Sequence, residues 1–118
     1  MTTCDGQNKS VGESLVLRIT INNTGTGAVP SGSKCHIEVL SGSSILMRAI
    51  ATLPEIPAGG GTQFAGNIGT ITGEVAGLSL DVRCVLTVDG DILADETCYG
   101  ILSVSSAMNP EFQSIEVL

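Results

Sequence analysis

The chain has 118 residues and a net charge of −7, with 42% hydrophobic residues, 15 glycines, one tyrosine, two phenylalanines and no tryptophan. Its Leu, Ile and Val supply enough apolar area to offset chain entropy, so it is expected to fold, and at this length as a single domain, 1–118. Five cations scattered along the chain cannot neutralise a phosphate track, which sets nucleic acid aside as a partner. No apolar run approaches the roughly 18 residues that a membrane-spanning helix needs, so no membrane insertion is expected.

Residues 1–14, MTTCDGQNKSVGES, are polar almost throughout. A secretory signal would instead carry an unbroken apolar stretch, so no signal peptide is expected in the chain as given. From there the dominant pattern is alternation with a period of two. In 15–22, Leu15, Leu17, Ile19 and Ile21 share one face and Val16, Arg18, Thr20 and Asn22 the other, which predicts a half-buried strand. A second strand is predicted over 34–40, with Cys35, Ile37 and Val39 inward and Lys34, His36 and Glu38 outward. Residues 44–53 are mostly apolar with Arg48 as their only charge, so that strand is expected to be covered on both faces or to pack on a neighbour. Residues 62–71 are diluted by glycine, with Phe64 and Ile68 in one phase. The clearest alternation runs over 78–88, where Leu78, Leu80, Val82, Cys84, Leu86 and Val88 are in phase. Strands over 98–105 and 111–118 complete the set, the last following a turn at Asn109-Pro110.

No window shows the three-and-four spacing of a long helix. Clusters of turn formers separate the strands: 23–27, 41–43, 57–61, 73–77 and 89–91. Six or seven short amphipathic strands punctuated this way predict an all-β fold, a two-sheet β-sandwich, because a second sheet must cover the apolar face of the first, with a closed barrel as the fallback architecture. With no tryptophan, its core must be aliphatic. The sandwich core is placed at about 14–105, leaving 1–13 and 106–118 as terminal segments available to partners.

Few residues offer chemistry. Cys4, Cys35, Cys84 and Cys98 are an even set that allows two disulfides in three connectivities. Cys35 and Cys84 also fall in the apolar phase of their strands, where a free thiol serves as a small buried hydrophobe. Their spacings match no zinc motif. Asp89, Asp91, Asp95 and Glu96 place four acids within eight residues, the only candidate metal ligands, for calcium. Asp-Gly is equally a preferred tight-hairpin pair, and a solvated acidic tip is the stronger reading. His36 lacks a partnered nucleophile and reads as an exposed surface histidine. Gly59-Gly60-Gly61 lacks the Lys-Ser/Thr of a phosphate loop and reads as a turn. The Asn-x-Ser/Thr sites at Asn8 and Asn22 carry no weight. Ile115, Val117 and Leu118 either complete the chain's own sheet or add to a neighbour's edge.

Three stretches resemble a known group of domains. Residues 15–28, LVLRITINNTGTGA, resemble the first core strand and Asn-Thr-Gly turn of cell-adhesion-related bacterial domains and their immunoglobulin-like relatives. Residues 53–62, LPEIPAGGGT, resemble the same families' segment ahead of an outward strand, and 80–97 resemble their late strand and acidic hairpin. The resemblance spans about residues 14–105 and departs at Cys98-Tyr99, where those families commonly carry paired asparagines. It implies an immunoglobulin-like antiparallel β-sandwich of about seven strands that works as a spacer, adhesin, polysaccharide-binding appendage or virion decoration.

No nucleophile, base or metal constellation supports an enzyme, and no cofactor is expected. Sugar platforms use exposed aromatic rings, and only Tyr99 could serve. The sequence therefore points to a structural or attachment protein, a virion component of the capsid-decoration type or a filament subunit. Its partners would be other protein subunits, in a homo-oligomer or a larger assembly, located in the virion or at the extracellular surface. The alternative is a cell-surface adhesion or carbohydrate-binding module cut from a larger secreted protein.

Overall fold

The computed structural model describes residues 3–105 and 113–118. The fold is an all-β sandwich of seven strands, β1 (Gln7–Ser10), β2 (Ser14–Asn22), β3 (Lys34–Ser41), β4 (Ser44–Thr52), β5 (Gly61–Thr70), β6 (Ser79–Val88) and β7 (Asp91–Ser105). A five-stranded sheet in the order β1-β7-β6-β3-β4 faces a two-stranded sheet, β2-β5. One short 3-10 turn, Gly73–Val75, carries the chain from β5 to β6.

The alternating positions meet between the sheets. Leu15, Cys35, Ile37, Val39, Leu80 and Leu102 are buried, and loop residues Ile56 and Ile71 close the two ends. The core is aliphatic, with Phe64 only half-buried at its margin. Asn23 organises the turn after β2: its Nδ2 donates to Gly27 O (2.8 Å) and Ile56 O (3.0 Å), while its Oδ1 accepts from Gly25 N–H (3.1 Å). A side chain that satisfies several loop backbone groups at once explains the Asn-Thr-Gly signature of this turn. Gly59, at φ 74°, is the left-handed residue of a turn in which Gly60 N–H bonds Pro57 O. The triple glycine is thus a turn leading into β5.

Three expectations need correction. Residues 7–10 form a strand that the polar sequence QNKS concealed, and it pairs parallel to β7, Gln7 opposite Leu102 and Ser10 opposite Ser105. The sandwich is therefore antiparallel everywhere except at this pair. The last hairpin begins at Asp91 rather than 98, so the acidic stretch is itself strand. Of the predicted terminal strand over 111–118, residues 113–118 form no strand, while 111–112 and the turn at Asn109-Pro110 lie outside the described residues. An isolated alternation becomes a strand only with a partner to pair with, and residues 113–118 pair with no strand among the described residues.

Candidate interaction surface

The five-stranded sheet ends on one side at β4, and the two-stranded sheet ends beside it at β5. Strand β4 is nine residues long, SILMRAIAT. Its inward residues Met47, Ala49 and Ala51 pack on the core margin. Its other residues face solvent, and Ile50 is 64% exposed, with Ile45 and Leu46 also exposed. Of the two expectations for this strand, cover on both faces is not met, since one face packs on the core and the other is exposed, and packing on a neighbour is left open. Natural edges are commonly blunted by lysine, proline, a bulge or shortness. Of these, β4 shows only a bulge where Val39/Leu40 pair with its first residues, and its one charge, Arg48, makes no ion pair among the described residues.

Between the two edges lies a cleft of about 180 Å³ lined by Leu17, Ile37, Ala49, Ala51, Phe64 and Ile68. Small residues create it. Gly66 sits opposite Leu17 in the inward phase of β5, and a Cβ built there would touch nothing within 4 Å. Across from it the inward positions of β4 that line the cleft are the alanines Ala49 and Ala51, with Ile50 at the rim. The cleft is therefore a missing piece of core that opens to water at the side of the sandwich.

The third apolar feature is the segment Gln113–Leu118, in which Ile115 is 86% exposed and Val117 and Leu118 are fully exposed. Among the described residues no backbone hydrogen bond ties it to the sandwich.

The cysteines divide into two pairs. Cys4 and Cys98 form a disulfide, with Cα atoms 5.7 Å apart, tying the segment before β1 to β7. Cys35 is buried and Cys84 half-buried, both free. They are diagonal neighbours on the inner face, since Ile37 pairs with Cys84 and Cys35 with Leu86. The Cys84 thiol, hydrogen-bonded to Cys35 and withdrawn from water, is pushed far above its ordinary value. The apolar-phase reading of these two cysteines holds, and one of the three possible connectivities is realised in part.

The acidic residues separate along the hairpin. Asp89 (φ 52°) and Gly90 (φ 83°) are the two central residues of a tight turn between paired Val88 and Asp91, the conformation for which Asp-Gly is preferred. Asp95 accepts from Arg83 Nε (2.9 Å) and Nη2 (2.6 Å). That bidentate bond holds the Asp95 carboxyl below its usual range. Glu96 lies opposite Cys84, in the other phase of the strand. Among the described residues no three His, Cys, Asp or Glu side chains converge as metal ligands.

His36 is in the outward phase, as expected, but half-buried rather than exposed: Nε2 lies 3.1 Å from Thr87 Oγ1, and Val85 and Ile50 flank it on the neighbouring strands. Tyr99 is 81% exposed on a bulge of β7. The bulge is held by Asp81, whose Oδ1 accepts from Gly100 N–H (2.7 Å), with Gly100 at φ 63°. Sequence reading missed both Asp81 and Gly66. A glycine at an inward position of an alternating strand was the available signal for the cleft.

No family model matches the chain, and no curated protein matches it in sequence.

Proposed function

We infer that this protein is a non-enzymatic structural or attachment subunit that works through protein–protein contacts. The observation that carries this reading is the nine-residue apolar edge of β4, left open beside an apolar cleft and accompanied in the same chain by an exposed apolar segment. Unpaired strand edges with apolar flanks are sites at which other chains add. The strand order, with β1 parallel to the last strand and β2-β5 opposite, supports the immunoglobulin-like form of the sandwich and its kinship with cell-adhesion-related bacterial domains. A virion decoration or a filament subunit is the setting that fits best.

The Cys4–Cys98 disulfide favours assembly or display in an oxidising compartment. It serves equally the second reading, an adhesion or carbohydrate-binding module at a cell surface, for which exposed Tyr99 would be the contact ring.

Sedimentation of the native material decides between them. A structural subunit travels with a particle or filament and stays there after washing in moderate salt. Recovery in the free fraction, with retention on a polysaccharide column that Tyr99→Ala abolishes, would overturn the first reading in favour of the second.

A further inference from the structure

We propose that the segment Gln113–Leu118 of one copy adds as a strand to the β4 edge of a second copy, seating an apolar side chain in the cleft at Gly66. This rests on the reading of the protein as an assembly subunit and specifies its contact.

Two features of the segment fit the edge. The first is its alternation, QSIEVL, which puts Ile115 and Val117 on one face and Glu116 on the other. The second is charge. Arg48 is exposed on the outer face of β4 as that strand's single charge and, although it lies opposite Glu38, makes no ion pair among the described residues, so it is available to an incoming carboxylate. Placing Glu116 opposite Arg48 turns Ile115 and Val117 inward, beside Met47 and Ala49, at the mouth of the cleft. A slip by one residue would put Glu116 into the apolar cleft, so charge and alternation select the same register.

The sizes agree. Six residues extend about 20 Å as a strand, within the reach of a nine-residue edge. A cavity of roughly 150 Å³ can hold a benzene molecule, so one of about 180 Å³ accepts a branched aliphatic side chain. The contact joins two different surfaces, segment to edge, so it is heterologous. Repeated from copy to copy, it grows a chain or closes a ring rather than stopping at a two-fold dimer.

The test is sizing and small-angle scattering of the full chain over a range of concentration. Intact protein is expected to show concentration-dependent species larger than a dimer. Joint substitution Ile115→Asp and Val117→Asp, in a segment with no bonds to the sandwich, is expected to weaken association at least tenfold. Gly66→Val, which fills the cleft from within, should weaken association while leaving the fold intact by circular dichroism. Arg48→Glu and Glu116→Arg should each weaken association about three- to fivefold, and the two together should restore it. Assembly that persists unchanged in the Asp variant would overturn the proposal and point to β4 pairing with β4. A protein monomeric at millimolar concentration would overturn it also. Either outcome leaves the subunit reading standing if native material still sediments with a particle, and that reading fails separately if it does not.

Discussion

The two edges of the five-stranded sheet are built on opposite principles. At one, β1 is four residues long, polar, and carries Lys9. It is covalently fastened through Cys4–Cys98 to the strand that it covers, and Val11 N–H continues the pairing to Ser105 O (3.0 Å). At the other edge, β4 is nine residues long, apolar, and fastened only by its hairpin to β3. A short polar strand gains little from burial, so it needs a cross-link to stay in place, whereas a long apolar strand stays without help and leaves an unpaired apolar rim. The molecule closes one side and leaves the other open.

The largest expected effect comes from cutting the closed edge loose. Replacing Cys4 and Cys98 by serine removes a cross-link between residues 94 apart in sequence. On the chain-entropy account this costs about 4–5 kcal/mol, read as a lower denaturant midpoint. Hydrogen exchange should show lost amide protection over Gln7–Ser10, and protection that survives would mean that β1 holds itself. Next is Gly6→Ala, whose Cβ would stand 2.6 Å from Ile101 O. Forcing β1 away from β7 there should cost about 1–3 kcal/mol.

On the open side the effects on stability are small and one is favourable. Gly66→Val adds a side chain to open space at a position without positive φ. It should stabilise the fold by about 0.5–1 kcal/mol, measured by thermal unfolding, and destabilisation would show that the cleft is not free. Ile50→Lys should leave stability within about 0.5 kcal/mol while raising solubility. A loss of several degrees in melting temperature would mean that β4 is more buried than its exposure indicates.

The smallest effect is the pH response of the Arg83–Asp95 pair on the exposed face. Because Arg83 lowers the Asp95 pKa from its ordinary 3.8, the pair's contribution is present above that value and is lost as pH falls through the lower one. Asp95→Asn should therefore flatten stability against pH only in the acid range, and salt should shrink the difference.

Much of this was legible in advance. Five strands appear where the alternation put them, because burying every second residue leaves a period-two trace whatever the topology. Strand β1 left no trace, since QNKS alternates nothing apolar and is held by a parallel ladder and a remote cysteine. The start of β7 was concealed for a related reason: Asp91, Asp95 and Glu96 stand at exposed positions of the strand and have no need to be apolar. The Cys4–Cys98 pairing required the fold to choose among three connectivities. The cleft was harder still, because a cavity is written by what is missing, here side chains at Gly66, Ala49 and Ala51 from strands remote in sequence.

The placement of the disulfide also has a mechanical meaning. Tension applied ahead of Cys4 and beyond Ser105 enters the covalent bond at Cys98 without passing through β2 to β6. Strands β2 to β5 are shunted out of the load path, and the stretch 99–105, lying in shear against β1 and β6, is the part that resists. Residues 99–105 are already extended as a strand and gain little length on detaching, so from Cys4 to Ser105 the molecule behaves as a nearly inextensible link. The disulfide in this way gives the chain a covalent path that bypasses most of its own core.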